Sequence, residues 1–427
     1  VSPRQPTPRP AGAGATTRYD STGGHGHGLF TTGTPVTGWT VSTALPVRYQ
    51  VRSTPGVLDP ANPAIAEAGV PARPGRRRRL LVVEARVHEL YGERIARYCE
   101  AQRIDHRLCV IPAHEQVKTM DSVFRVTRAM EEFGLARRGE PVIAIGGGVL
   151  TDVVGLACSL YRRSTPFVRV PTTLIGLVDA GVGAKTGVNF DQHKNRLGTY
   201  HPAVETLLDP AFLATLEHRH IGNGMAEILK VALIKDRALF ELLDRHGPQL
   251  RAERFQHPAA AEVVGRAVGG MLSELQPNLW EHELERSMDY GHSFSPTLEM
   301  RALPELLHGE AVCVDMALTT VLAGQRGLVS PVECARILGL MARLGLPLWH
   351  RLLQPELLHD ALADTIRHRD GRQRLPLPIG IGAGVFVDDL TPHELSRASS
   401  ELHAAARALT VSQESRRAPA QARAEAA

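Results

Sequence analysis

Apolar runs long enough to cross a membrane are missing from this chain. None approaches 18 residues, so no transmembrane helix and no membrane partner are expected. The N-terminal stretch has no apolar segment of the kind a secretory signal needs, so a cytoplasmic protein is expected. Charge of one sign is also scarce: 49 Lys and Arg stand against 45 Asp and Glu, a net charge of +4, and no nucleic-acid partner is implied. Cysteine is limited to Cys99, Cys109, Cys158, Cys313 and Cys334, an odd number with no C-x-x-C pair. That argues against a disulfide framework and for buried free thiols in a reducing compartment. The G-x-G-x-x-G spacing of a standard dinucleotide fingerprint does not occur. Two domains and a large core do fit, since the chain has 427 residues and 43% apolar content.

The most informative stretch is Gly146 to Pro202. Gly146, Gly147 and Gly148 directly follow the apolar run Val142–Ile145, which reads as a buried strand, and Asp152–Leu160 reads as a helix. Strand, glycine turn and helix start together suit a phosphate cradle, because bare backbone approaches an anion closely and the helix N-terminus offers free N–H groups and a positive dipole end. A tight turn chosen for packing is the plainer alternative. Asp179, Lys185, Asn189, Lys194 and Asn195, crowded among glycines, favour the cradle, since a merely solvated face would not need those glycines.

Taken in order, residues 1–38 are rich in Pro, Gly, Thr and Ala without a period and are expected to be a disordered tail. His25 and His27 within it lack a third ligand, so no metal site is expected there. Trp39–Val51 alternates apolar and polar residues like an edge strand or hairpin. The arginine run Arg76–Arg79 reads as a solvated flank of the strand Leu80–Val83. Glu84 ends that strand, where a carboxylate can accept hydrogen bonds from a ribose. A helix over His88–Gln102, a strand over Leu108–Ile111 and a helix over Ser122–Phe133 complete an alternation that predicts a parallel sheet. After Pro202 strand-like runs give way to helical pattern. The expected architecture is α/β: an N-terminal parallel-sheet domain at 39–215, a mostly α-helical domain at 216–411, and a frayed tail at 412–427.

The second half holds three candidate metal ligands, Glu227 in GNGMAEILK, His292 in DYGHSFSPTLEM and His308 in LLHGEAV. Singly each is unremarkable; together a Glu-His-His set suits a catalytic divalent ion with an open position, and it does not choose between zinc and cobalt. Lys230 lies three residues after Glu227 and shares its helix face.

GGGVLTD, PTTL, DAGVGAKT and HKNRLG, in that order, resemble the dehydroquinate synthase superfamily, the sugar phosphate cyclases, over about Leu80 to Pro378. The resemblance implies NAD and one divalent ion as cofactors, a sugar phosphate as substrate, and a homodimer. It assigns Glu227, His292 and His308 to the metal. To the cofactor it assigns Glu84, Glu115, Lys118, Gly147, Gly148, Asp152, Thr172, Thr173, Asp179 and Lys194. Arg163, Lys185, Lys194, Asn195 and Asp289 fall to the substrate and its phosphate, and Asp179, Lys185, Lys230 and Asp289 to catalysis. The implied reaction oxidises a hydroxyl transiently, eliminates phosphate, reduces the ketone again and closes the ring by aldol addition.

Departures from the dehydroquinate synthase pattern bear on the substrate. Met271 stands where that enzyme has a lysine and Pro296 where it has a second histidine. Glu285 falls on an arginine position, with Arg286 adjacent and a one-residue slip open, and Asp289 replaces an asparagine. A pocket poorer in cations suits a substrate without a carboxylate. With HSFSPTLEM and ELQPNLWEHELE, this resemblance implies cyclisation of sedoheptulose 7-phosphate to 2-epi-5-epi-valiolone for a C7-cyclitol natural product. The alternatives are 2-epi-valiolone, desmethyl-4-deoxygadusol or 3-dehydroquinate as product. A polyol dehydrogenase or an inactive binding homologue is more remote.

Overall fold

A computed structural model describes residues 28–32, 37–69, 77–191 and 193–424. His25 and His27 lie outside the described residues. The chain divides into two compact units, 1–48 and 49–427. In the first, β1 (Gly28–Thr32) and β2 (Gly38–Ser42) form an antiparallel hairpin. The tail expected over 1–38 therefore contains a strand. The strands pair in register from Gly28 opposite Ser42 to Thr32 opposite Gly38, a backbone partnership that composition alone does not reveal.

The second unit is built on a six-stranded, wholly parallel sheet. Its strands are β3 (Gln50–Ser53), β4 (Arg77–Glu84), β5 (Ile104–Ile111), β6 (Val142–Gly146), β7 (Phe167–Pro171) and β10 (Glu205–Leu208), in the order β3-β10-β7-β6-β4-β5. Near-continuous apolar runs such as VIAIG in β6 suit strands buried on both faces. Around the sheet lie α1 (Ala64–Glu67), α2 (Ala85–Ala101), α3 (Met120–Phe133) and α4 (Gly148–Leu160). Separate apolar clusters fill its two faces. Between β7 and β10 the chain forms an antiparallel hairpin, β8 (Lys185–Phe190) with β9 (His193–Tyr200).

The helical half comprises α5 (His218–Ile234), α6 (Arg237–Ala252), α7 (Ala260–Leu275), α8 (Ser295–Ala302), α9 (His308–Gln325), α10 (Pro331–Arg343), α11 (Pro355–His368) and α12 (Pro392–Ala424). It also carries a two-stranded hairpin, β11 (Leu375–Pro378) with β12 (Gly384–Val387). Helices α5 and α9 are apolar around most of their circumference and run through the middle of one large core.

Three sequence expectations need correction. Strands do not disappear after Pro202, because β10, β11 and β12 are four-residue strands whose pairing partners, not their length, define them. The arginine run is not a solvated flank: Arg77–Arg79 belong to β4, and Arg79 is buried, donating to the Ala66 carbonyl at 2.7 Å. Helix α12 continues to residue 424 through the stretch expected to fray, which is rich in Ala and Arg, good helix formers. The line drawn at 215 marks a change from sheet to helix, but both halves lie in the unit 49–427.

Candidate functional site

Two groups of polar residues meet between the sheet and the helical half. The first surrounds the start of α4. Gly147 is its N-cap residue and offers no side-chain cap, so the helix's first N–H groups remain available. A Cβ on Gly147 would lie 3.0 Å from Thr173, and one on Gly146 would lie 2.5 Å from Leu150. Glycine is thus required by close packing as well as suited to an anion. Thr172 donates its N–H to the Gly146 carbonyl, and the Thr173 hydroxyl accepts from Gly176 N, so the threonines hold the turn in shape.

Beside this turn a buried lysine ties three elements together. Lys118 Nζ donates to Asp152 Oδ2 on α4 and to Asn195 Oδ1 on β9, both at 2.6 Å. Glu115 Oε1 accepts from Asn189 Nδ2 on β8, and Asn189 Oδ1 accepts from Asn195 N. The glycine turn, the E-x-x-K segment and the β8–β9 hairpin therefore form one polar corner. It offers uncapped N–H groups, a glycine surface and acceptor oxygens, a set that fits a dinucleotide. Glu84, expected at a ribose, has a second task here. Its two oxygens accept from Arg86 N and Val87 N, so the carboxylate caps α2.

The second group holds the metal candidates. Glu227 comes from α5, His292 from the turn before α8, and His308 from the first position of α9. One ligand atom from each lies within 4.8 Å of the others. His308 Nε2 is 3.3 Å and His292 Nε2 3.9 Å from Glu227 Oε1. Tetrahedral ligands about 2.0–2.2 Å from an ion sit roughly 3.3 Å apart, so the three residues fit a divalent ion with little movement. Both Glu227 oxygens are buried without a well-directed hydrogen bond, although Lys230 Nζ is 2.5 Å from Oε2. A buried carboxylate that faces two imidazoles, with no directed hydrogen bond on Oε1, is what a divalent cation would satisfy. Burial pushes the Glu227 carboxyl up, but Lys230 and the two histidines outweigh it and hold it well below the usual range.

The outer ring nitrogens are engaged elsewhere, which aims Nε2 inward. His292 Nδ1 lies 3.2 Å from the Tyr290 carbonyl, and His308 Nδ1 lies 2.8 Å from Glu299 Oε2. Burial, reinforced by Lys230, lowers His292 to about 3, leaving it neutral as a ligand must be. Burial and Lys194 also oppose a proton on His308, yet Glu299 and Glu227 prevail and lift it to about 9. Glu299 also accepts from Lys194 Nζ at 2.5 Å, so this one buried carboxylate joins a hairpin lysine to a metal-candidate histidine. Asp179 sits in a π-helical turn, Gly176–Ala180, 3.9 Å from Lys230 Nζ. Burial and neighbouring Glu227 push its carboxyl up.

Asp289 is held by two guanidiniums: Arg286 donates to it at 2.8 Å and Arg369 at 3.1 Å. Despite burial, those two charges keep it below the ordinary aspartate range. Arg286 and Lys185 both pair with Glu281. Lys185 is also aligned by Arg169, a buried β7 residue that donates to the carbonyls of Gly183 and Lys185.

Three further residues expected near the substrate are placed as follows. Arg163 is exposed in the turn after α4 and makes no side-chain hydrogen bond or ion pair to another site residue among those described. Glu285 points outward, 59% exposed, while Arg286 takes the inward position and pairs with Glu281 and Asp289. Met271 is buried in the apolar core of α7. Glu299, Glu281, Arg169 and Arg369 were not legible as site residues, because each reaches the site from a different element. Only the seven-residue step from His292 to Glu299 hinted at a shared neighbourhood.

The 3-dehydroquinate synthase N-terminal family matches residues 108–223 and the 3-dehydroquinate synthase C-terminal family residues 224–368. A 2-epi-5-epi-valiolone synthase of Streptomyces hygroscopicus subsp. jinggangensis (strain 5008) is 58% identical over 370 residues, covering 84% of this chain and 88% of the relative. A demethyl-4-deoxygadusol synthase of Trichormus variabilis is 40% identical over 363 residues, covering 83% and 87%. The solved structure of ValA, the 2-epi-5-epi-valiolone synthase of that Streptomyces strain with NAD+ and Zn2+ bound, superposes with a TM-score of 0.83 at 58% identity. That match covers 86% of this chain and 99% of ValA.

Proposed function

The chain belongs to the 3-dehydroquinate synthase family, and on that premise we propose that it is a 2-epi-5-epi-valiolone synthase. Its substrate is a sugar phosphate, sedoheptulose 7-phosphate, and its cofactors are NAD and one divalent ion, zinc or cobalt. The observation that carries the proposal is the meeting of Glu227, His292 and His308 with Lys194 and Lys230 beside the glycine turn of α4. When bound, NAD supplies a hydride acceptor and donor, and the ion polarises a substrate oxygen.

The chain's own residues supply the rest. Lys194 and Lys230 are buried ammonium groups that lose favour on burial but are kept charged by Glu299 and by Glu227 with Asp179. They suit a phosphorylated, hydroxyl-rich ligand because each has donors left beyond its carboxylate partner. Asp179, pushed toward its neutral form, suits hydrogen bonding to a ribose or substrate hydroxyl. Asp289 is occupied by Arg286 and Arg369, which offsets their charge and leaves little free cation for a carboxylate. With Glu285 turned outward, apolar Met271 and the pairing of Asp289 with both guanidiniums disfavour a carboxylated substrate. We place the enzyme in the cytoplasm as a homodimer, and no described helix is long and apolar enough to cross a membrane.

The test is incubation with sedoheptulose 7-phosphate, NAD and zinc, followed by product identification, phosphate assay and absorbance at the NADH band. Cyclic product and phosphate in equal amounts without net NADH are expected. Stoichiometric NADH would make the chain a dehydrogenase, and absence of cyclic product would overturn the assignment.

A further inference from the structure

Asp315 lies two turns along α9 from His308 and is fully buried, yet it makes no ion pair among the described residues. Its Oδ2 accepts two backbone N–H bonds, from Phe294 at 2.5 Å and Ser295 at 2.8 Å, while Oδ1 has no partner. Those amides open α8, a helix whose own N-cap residue, Phe294, provides no side-chain cap and whose first turn contains Pro296. A buried carboxylate is costly unless something specific is gained from it. Here a side chain from one helix caps another, two residues after His292.

The connections close a loop. Helix α9 carries His308 at its first position, and His308 Nδ1 bonds Glu299 on α8. Seven residues on, the same helix face carries Asp315, which grips the start of α8 next to His292. The turn is further fixed by Ser295 Oγ donating to the Gly291 carbonyl and Thr365 Oγ1 donating to the Ser293 carbonyl. Besides the Asp315 pair, the Tyr290 hydroxyl also ties the His292 turn to the helix that bears His308, donating to the Met316 carbonyl at 3.3 Å and lying 3.2 Å from Thr320 Oγ1, but only Asp315 holds the backbone between His292 and α8.

Resting on the metal-site reading above, we propose that Asp315 is a positioning residue that sets His292 against His308 for the divalent ion. The test uses full-length protein stripped by a chelator and titrated with cobalt(II), whose visible bands report both affinity and coordination. Asp315→Ala should raise the cobalt Kd by about 10- to 100-fold, as is usual for lost outer partners of a ligand, and alter the bands. Asp315→Asn keeps one oxygen for the two amides and should stay within about threefold of the parent, with its spectrum. NAD affinity, read by fluorescence, should change less than twofold in both. If the alanine variant does not fold, Asp315→Ser, whose hydroxyl falls short of the amides, is read in its place. A parental Kd and spectrum in the Ala or Ser variant would overturn the proposal. So would parallel loss of cobalt and NAD binding that Asn fails to rescue, which marks a general structural role. A parent protein that binds no cobalt would instead overturn the metal site itself.

Discussion

At the scale of single residues, the site is a set of buried charges each stabilised by a specific neighbour. Glu299 serves two partners, Lys194 and His308, and burial works against its charge while they hold its carboxyl far below the usual range. Glu299→Gln offers one acceptor oxygen where two are used, leaving either the lysine or the imidazole unpartnered. Metal affinity should fall roughly 10- to 100-fold, measured against a chromogenic chelator. Unchanged affinity would show that Glu299 does not orient His308. Asp315 makes a separate, pH-dependent prediction. Burial raises its folded pKa to about 6, above the 3.8 of an unfolded aspartate, despite help from backbone N–H groups. The folded state therefore binds the proton more tightly. Stability from this group is full below pH 4 and is lost as pH rises through 6, amounting to about 3 kcal/mol at neutrality. Asp315→Asn should unfold at higher denaturant than the parent at pH 7, and the gap should close between pH 6 and 4. A gap independent of pH would mean that Asp315 is not ionised in the fold.

At the scale of elements, the decisive contact is that of α4 with the β8–β9 hairpin, because it sets the glycine turn against Lys185, Lys194 and Asn195. Gly155 permits it: a Cβ there would sit 2.3 Å from Thr186 Cγ2 and 3.1 Å from Phe167. Thr186 cannot easily move, since it is buried and its hydroxyl bonds the Thr199 carbonyl. Gly155→Ala should destabilise by about 1–3 kcal/mol through overpacking, despite the higher helix propensity of alanine. Adding Thr186→Ser removes the clashing methyl but keeps the hydroxyl and should recover most of the loss, as denaturant unfolding can measure. A neutral single substitution would mean that the hairpin gives way freely. The alternation of strands and helices up to Phe133 was legible because each element carries its own period. The four-residue strands were not, since their identity lies in their partners.

At the scale of the whole molecule, the sheet half supplies the glycine turn and hairpin cations while the helical half supplies the metal candidates. The substrate preference follows from how charges balance where they meet. Asp289, Arg286, Arg369, Glu281 and Lys185 form one network in which most cations already have a carboxylate. A second anionic group on the substrate would have to displace one of these partners. Side by side, sedoheptulose 7-phosphate should be turned over and the carboxylated seven-carbon substrate of dehydroquinate synthase should not. Preferential conversion of the carboxylated sugar would overturn the balance described.

The sequence by itself determined the chemistry available: the glycine triplet, the Glu-His-His set and the lysines are covalent facts, and their local spacing already dictates a strand, a turn and a helix start. Element periodicity likewise determined the parallel sheet. Only the tertiary structure decided which charges face one another. It turned Arg286 inward and Glu285 outward, used Glu84 as a helix cap, left Arg163 exposed, and brought Glu299 and Asp315 to the histidines from separate helices. The physical reason is that pairing depends on distances of a few ångströms between residues far apart in the chain, and no local pattern encodes them.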